Sequence, residues 1–197
     1  MSERTVGILL FNEVEVLDFA GPFEVFSLAT LPKSNVKLFN VKTISEDGEM
    51  VSARNGLKVK PDFHFSNHPK LDIVIIPGGE GAEKTEINNS NVIRWIAKQY
   101  IKVEFMTSVC TGALLLAKAG ILDGRKATTH WLDIERLERE FPSVSVQRDV
   151  KFVDEDSIIT SGGISAGINM SFHLISRLHG KEVSMETAKR MEFEIDL

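Results

Sequence analysis

The single cysteine of this 197-residue chain lies where a strand-like sequence changes into a helix-like one. The apolar run that ends at Ser108 is typical of a buried strand, and the Ala/Leu-rich stretch from Thr111 favours a helix. Gly112 allows a second backbone to come close to the turn between them. The pattern predicts a nucleophile elbow, a sharp strand-to-helix turn that presents Cys110 at its apex.

The elbow position predicts an activated thiol. A side chain at a helix N-terminus feels the helix dipole and free N–H groups, which favour an anion and depress the pKa of a thiol. We therefore expect Cys110 to form a thiolate near neutral pH. The alternative is a buried structural cysteine, a common state of a lone thiol. The strand–turn–helix context favours the nucleophile.

Two other strand ends carry residues with useful chemistry. The first predicted strand leads to Asp18, and a nearly continuous β-branched strand ends at Gly78 and Gly79. Because ligands of open parallel sheets bind beyond the carboxyl ends of the strands, a carboxylate, backbone N–H groups and the Cys110 thiol are predicted to converge. Taken singly, the glycines also fit a tight turn and Asp18 fits a helix cap. Their joint placement favours a site.

The elements that must position these residues alternate between strand and helix. We predict strands at 5–11, 36–43, 71–77 and the run before Cys110, a polar hairpin-like stretch near 47–56, a hairpin at 151–160, and helices at 21–29, 91–102, 133–141 and 164–179. Pro22 is expected in the first turn of its helix, where proline is tolerated. The alternation predicts an α/β fold with an open, mostly parallel sheet and helices on both faces, in one domain that spans residues 1–197.

Composition narrows the classes of function. A net charge of −5 without long charged blocks argues against nucleic acid as a direct ligand. No apolar run approaches the roughly 20 residues of a membrane span, so we expect no membrane partner. One cysteine and no export signal indicate a cytoplasmic protein. His64 and His68 are four apart in a predicted loop and lack matched ligand partners, so we expect no metal and no other cofactor.

Five motifs carry a resemblance that covers nearly the whole chain. They are Leu17–Phe26, Ile76–Gly79, Ser108–Gly112, Leu122–Trp131 and Ser161–Ile168. With these motifs the chain resembles the ThiJ/PfpI superfamily, the single-domain relatives of class I glutamine amidotransferases, and the resemblance implies a flavodoxin-like fold. Within the superfamily it is similar to the branch that contains isonitrile hydratases and the N-terminal sensing domains of AraC-type transcription regulators.

The resemblance implies a role for each matching residue. Cys110 matches the nucleophile, and Asp18 matches the acidic residue that contacts it. Gly79 and Thr111 match positions whose backbone N–H groups form an oxyanion site, and the Thr111 side chain matches a threonine held near the substrate. His130, 20 residues after the cysteine, matches a second catalytic-site position. A histidine that only hydrogen-bonds at the strand end is equally compatible with the sequence.

The implied reaction is that of a hydro-lyase acting on a small molecule. Thiolate attack on the terminal carbon of an isonitrile gives a thioimidate, and water then releases an N-substituted formamide. Asp18 moves the protons, which near pH 7 requires a desolvated pocket that raises its pKa. Two alternatives stay open: another activity of the same thiol, such as glyoxalase-type or amide-hydrolysis chemistry, and a non-enzymatic small-molecule or redox sensor.

Two positions depart from the hydratase pattern and lean toward the regulators. Hydratases usually carry Thr where this chain has Ala20, and Asp where it has Asn169. Regulators of this kind continue into a helix-turn-helix region. Because the sequence ends at Leu197, we expect no DNA binding in cis.

The last predicted helix also indicates a second subunit. Its apolar residues lie around more than one face, and a helix that is apolar on two sides has two partners. We expect a homodimer in which part of this helix and the helix bearing Phe19–Phe26 meet a second copy near Cys110.

Overall fold

The computed structural model describes residues 3–195 and places them around a seven-stranded sheet. The strands are β1 Arg4–Leu9, β2 Phe39–Ser45, β3 Val51–Ser52, β4 Lys58–Val59, β5 Phe63–His64, β6 Ile73–Ile76, β7 Phe105–Ser108, β8 Lys126–Ala127, β9 Ser145–Val146, β10 Phe152–Glu155 and β11 Ile158–Ser161. The helices are α1 Val16–Leu28, α2 Glu80–Lys84, α3 Ser90–Tyr100, α4 Gly112–Lys118, α5 Ile134–Glu140, α6 Ala166–His179 and α7 Lys181–Arg190.

The main sheet has the order β10-β11-β7-β6-β1-β2-β5. All neighbouring pairs are parallel except β10 and β11, which form an antiparallel hairpin. Every residue of the central strand β6 is buried, as a β-branched strand covered on both faces requires. The predicted flavodoxin-like α/β architecture is therefore confirmed. The strands β1, β6, β7 and β11 end at the same edge, where the candidate site lies.

The boundaries of α1 differ from the prediction. The helix begins at Val16, before Gly21, so Pro22 lies in its interior and not in its first turn. Gly21 allows the helix to pack closely on α6, because a Cβ at this position would lie 2.8 Å from Cγ1 of Ile168. The earlier start brings Asp18 into the helix, facing the core.

The second apolar face of α6 is covered within the chain, because α7 packs against it. The polar sequence of α7 did not predict this contact. Ser184 Oγ donates to the Phe172 carbonyl oxygen at 2.8 Å, and the ring of Phe193 lies 5.8 Å from that of Phe172. The two-sided apolarity of α6 is therefore explained by one subunit, and it gives no support to a dimer.

Among residues 3–195, no helix is long and apolar enough to cross a bilayer.

Candidate active site at the Cys110 elbow

Cys110 lies at the apex of a sharp turn between β7 and α4. Its φ is 55°, a left-handed conformation that L-residues adopt at a cost of about 1–2 kcal/mol. The neighbouring strand holds the turn, because Cys110 N–H donates to the Gly162 carbonyl oxygen at 3.1 Å. Thr129 Oγ1 donates to the carbonyl oxygen of Cys110 at 2.9 Å. A Cβ on Gly112 would lie 2.1 Å from the Ile76 carbonyl oxygen, so the close backbone approach requires glycine.

Asp18 is fully buried beside the thiol. Gly78 N–H donates to its Oδ2 at 3.0 Å, whereas Oδ1 has no hydrogen-bond partner among the described residues. Asp18 does not cap its helix, since the N-cap position of α1 is Glu15 and the Asp18 carboxyl reaches another strand end. A buried carboxyl with an unused oxygen is expensive for a fold to keep, which favours a functional role.

Burial governs the ionisation of Asp18 and Cys110. Loss of solvent raises the pKa of Asp18 to about 7, although the N–H of Gly78 favours the charged form. Burial also raises the pKa of Cys110, and the negative charge of Asp18 raises it further. The prediction of a depressed pKa for Cys110 is therefore wrong. The N–H and hydroxyl of Thr111 do favour the thiolate, but burial outweighs them.

The two acids are best treated as a pair. The first proton leaves the pair near neutral pH, and a second is held much more firmly because two adjacent negative charges would share a buried space. Above pH 7 the pair carries one negative charge and one proton. The desolvated pocket that the sequence required for Asp18 is present.

Gly78 and Gly79 form both a tight turn and a contact surface for the elbow. A Cβ on Gly78 would lie 2.5 Å from the Thr111 nitrogen, and Gly79 has a φ of 119°. The Gly79 N–H, implied for an oxyanion site, donates to Thr111 Oγ1 at 2.9 Å. An oxyanion could therefore receive this N–H only by replacing the hydroxyl. The Thr111 N–H, by contrast, acts on the thiol itself.

His130 lines the same cavity as Cys110 but has its own partners. Its Nδ1 accepts from Leu132 N–H at 3.4 Å and lies 3.9 Å from Asp133 Oδ2. Within residues 3–195, His130 makes no hydrogen bond to the Cys110 thiol. Gly163 packs directly on the ring, where a Cβ would lie 2.0 Å from Cδ2. These contacts fit the hydrogen-bonding alternative that the sequence left open, and a catalytic role for His130 stays a prediction.

The cavity has a volume of about 340 Å³. Its lining residues are Glu15, Arg54, Gly79, Glu80, Glu83, Lys84, Cys110, His130, Leu132, Asp133 and Ile164. Sequence reasoning found three of these as site residues: Gly79, Cys110 and His130. Among the described residues, no group of three or more His, Cys, Asp and Glu side chains is placed to hold a metal ion.

Ile164 is the least expected member of the lining. Its φ of 55° is a rare left-handed conformation for a β-branched residue, and its N–H favours the charged form of Asp18. The Gly162–Gly163 pair before it signals a tight turn, but no sequence pattern marks a β-branched residue for this conformation. Backbone strain of this kind is typical of functional sites.

Comparisons with known proteins show which family this chain matches. The DJ-1/PfpI family model matches residues 4–177. Isonitrile hydratase of Pseudomonas putida is 34% identical over 191 residues, which cover 97% of this chain and 77% of the hydratase. The HTH-type transcriptional regulator GbdR of Pseudomonas aeruginosa is 30% identical over 191 residues, and this chain spans only 51% of its length.

Solved structures resemble the fold closely. A ThiJ/PfpI family protein from Pseudomonas syringae superposes with a TM-score of 0.88 at 23% identity, over 100% of this chain and 78% of that one. At this identity the likeness speaks for the fold alone.

Proposed function

Because this chain belongs to the DJ-1/PfpI family, we propose that it is a cysteine-dependent enzyme that hydrates isonitriles to N-substituted formamides. The observation that carries the proposal is the buried pair of Cys110 and Asp18, which holds one proton around neutral pH beside a cavity. Hydration of an isonitrile needs a nucleophile and a proton at the same carbon, and this pair supplies both. The 34% identity to a hydratase over nearly the whole chain supports the choice of substrate.

The first step begins when the Asp18 carboxylate takes the thiol proton of Cys110, and the resulting thiolate attacks the terminal isonitrile carbon. The sulfur electron pair forms the C–S bond, and one π pair of the C–N triple bond moves onto the nitrogen, so that the carbon keeps its own lone pair. Asp18 then delivers its proton to that carbon, which gives a thioimidate with a C=N bond. Asp18 can act as the acid because burial holds its pKa at about 7.

The second step adds water and releases the product. The Asp18 carboxylate takes a proton from water as the oxygen attacks the thioimidate carbon, and this proton passes to the nitrogen. The hydroxyl proton returns to Asp18 as the C–S bond breaks, which yields the formamide and the thiolate. The net reaction is isonitrile plus water to formamide. The Thr111 N–H stabilises the charge that forms on sulfur.

Turnover assays of the purified full chain against aryl and alkyl isonitriles test the proposal. We expect formamide production by the wild type, none by Cys110→Ala, and a rate lower by about 10²-fold or more for Asp18→Asn, the usual effect of losing an acid–base group. Asp156→Asn is the matched control, because Asp156 is exposed and lies in a left-handed turn that Asn tolerates. The control should keep full activity.

The remaining outcomes separate the alternatives. Cys110-dependent turnover of an α-oxoaldehyde or an amide, without isonitrile turnover, would replace the proposed reaction with another activity of the same thiol. A wild type that is inert toward all three classes but is readily oxidised at Cys110 by mild peroxide would favour a sensor. The raised pKa and the 6% exposure of Cys110 work against easy oxidation.

We further propose that the protein acts in the cytoplasm as a homodimer. Exposed apolar side chains near the site support a second copy, since Trp131 is 75% exposed and Leu132 66% exposed, with Leu17 and Phe23 on α1 each 37% exposed. Sedimentation equilibrium at micromolar concentration should give twice the mass of the chain. A monomer would contradict this part of the proposal.

A further inference from the structure

The cavity above Cys110 is lined by more acidic than basic side chains. Four carboxylates line it, those of Glu15, Glu80, Glu83 and Asp133, against the two permanent cations Arg54 and Lys84. The excess negative charge is not spread evenly over the cavity, because each cation already has a carboxylate partner and leaves the other carboxylates without one.

Both cations are held in ion pairs. Arg54 Nη1 lies 3.0 Å from Glu15 Oε2, and Lys84 Nζ lies 2.6 Å from Glu80 Oε1. These two pairs are close to neutral as seen from the cavity. The charge that a bound molecule meets therefore comes mainly from Glu83 and Asp133, which we call the carboxyl pair.

The carboxyl pair is partly buried and incompletely compensated. In the described part of the chain Glu83 makes no ion pair, and Asp133 has only the His130 ring at 3.9 Å. Arg136 lies nearby, but its guanidinium is shared between Glu140 at 3.2 Å and the carbonyl oxygen of Glu83 at 3.1 Å. Burial raises the pKa of Glu83, and the charge of Asp133 raises it further, whereas Arg136 and His130 favour its charged form.

The carboxyl pair is also connected to the reacting centre. The hydroxyl of Thr111 favours the charged form of Glu83, and the same oxygen accepts from Gly79 N–H at 2.9 Å. Negative charge from Glu83 and Asp133 is therefore placed in the cavity next to the nucleophile, where it acts on whatever group the isonitrile carries.

We propose that the carboxyl pair sets substrate choice, so that the enzyme prefers isonitriles with a positively charged substituent and discriminates against those with a carboxylate. The inference rests on the proposed hydration. A cationic substituent gains the attraction of Glu83 and Asp133, and a carboxylate meets their repulsion in a cavity that focuses the field. Arg54 and Lys84 favour the opposite choice only if they leave their partners.

Three alkyl isonitriles of equal chain length, ending in an ammonium, a hydroxyl or a carboxylate group, test the preference. At pH 8 and low ionic strength we expect kcat/KM to fall about tenfold or more from ammonium to hydroxyl, and by a similar factor from hydroxyl to carboxylate. Raising the salt concentration should compress both ratios, because the cavity is open to solvent.

Charge-neutralising variants assign the effect to its residues. Glu83→Gln and Asp133→Asn should each reduce the ammonium-to-carboxylate ratio by about fivefold or more, with the hydroxyl compound measured in each variant as the neutral reference. Glu186→Gln is the matched control, since Glu186 is exposed on α7 and is not among the cavity-lining residues. That control should leave the ratio unchanged. Thermal unfolding confirms that each variant is folded.

The readouts separate this inference from the proposed hydration. If no isonitrile is turned over, hydration fails, and binding of the three corresponding formamides to Cys110→Ala by calorimetry still measures the preference. Equal turnover or equal binding of the three compounds overturns the inference alone. Faster turnover of the carboxylate compound also overturns it and assigns substrate choice to Arg54 or Lys84.

Discussion

The cavity has two walls that are built in different ways. The inner wall consists of Asp18, Gly78, Gly79, Cys110 and Thr111, and the three side chains among them are 0%, 6% and 1% exposed. Backbone N–H groups and the turns at strand ends fix these groups.

The outer wall consists of Glu83, His130, Leu132 and Asp133. Its side chains are partly exposed to solvent, and the His130 ring accepts from Leu132 N–H and lies 3.9 Å from Asp133. Low dielectric at the inner wall shifts pKa values strongly and suits bond making, whereas charges at the outer wall act over a distance and suit recognition. The inner wall is therefore suited to the reaction itself, and the outer wall is suited to the choice of substrate.

The largest effect that this comparison predicts is the pH dependence of stability due to Asp18. Its pKa is about 7 in the folded chain and about 3.9 in an unfolded one. Between these values the unfolded carboxyl has lost the proton that the folded one keeps. Stability should therefore fall as pH rises from about 4 to 7, by about 4 kcal/mol in total, and then level off.

Asp18→Asn isolates this contribution, because the other titrating groups are common to both proteins. Urea unfolding at pH 4.5 and at pH 8 gives the unfolding free energy of the variant relative to the wild type. This relative stability should increase by about 3 kcal/mol or more from pH 4.5 to pH 8. A pH-independent difference would mean that Asp18 is not held neutral by burial. The outer wall offers no single group with so large an effect.

Glycine-to-alanine substitutions test how much stability each wall loses when a Cβ is added beside it. In Gly112→Ala the new Cβ would lie 2.1 Å from the Ile76 carbonyl oxygen, so backbone must move and stability should fall by about 3 kcal/mol. In Gly163→Ala the Cβ meets the His130 ring at 2.0 Å, and a side chain can turn away. We expect a loss of about 1 kcal/mol or less there.

Gly162→Ala is the matched control for both glycine variants. Its Cβ would have no neighbour closer than 3.6 Å, so stability should stay near that of the wild type. Denaturant unfolding checks all three variants. If Gly163→Ala is as damaging as Gly112→Ala, the outer wall is as rigid as the inner one and the comparison fails.

The inner wall was largely predictable from the sequence, and the outer wall was not. Cys110, Asp18 and the Gly78–Gly79 turn follow strand-like runs, and parallel strands bring their ends to one edge by topology alone. Glu83 lies in the five-residue helix α2, which is too short to carry a periodic signal, and Asp133 lies at the start of the helix predicted at 133–141. Which charged side chain of a polar segment faces a cavity depends on packing, and local pattern does not encode it.

Prediction also failed where a tertiary contact outweighed a local preference. The helix dipole argument for Cys110 treated the elbow as if it were solvated, whereas burial dominates its pKa. Helix α7 was missed because its polar sequence covers α6 with few apolar residues, among them Val183 and Ala188.

Replacing His130 is predicted to have a smaller effect on kcat/KM. It tests whether this residue of the outer wall takes part in the reaction. Because its ring bonds to the outer wall and not to the thiol, His130→Ala should lower kcat/KM for a neutral isonitrile by less than about tenfold, far less than Asp18→Asn. His64→Ala, a remote histidine bonded to Ser66, serves as control. A loss of 10²-fold or more for His130→Ala would move this residue into the chemistry.

The smallest predicted effect concerns the strained turn at Ile164, which lies beside the inner wall without belonging to it. At most positions glycine is less stable than alanine by about 0.5–1 kcal/mol, because it loses more backbone freedom on folding. With a φ of 55°, position 164 should reverse this order, since alanine keeps the left-handed strain and glycine does not. We expect Ile164→Gly to unfold at a higher urea concentration than Ile164→Ala, with a difference of about 1 kcal/mol. Comparing the two variants removes the contribution of the isoleucine side chain, which both lack. If alanine is the more stable of the two, Ile164 does not hold this conformation, and its N–H cannot act on Asp18 as the structure indicates.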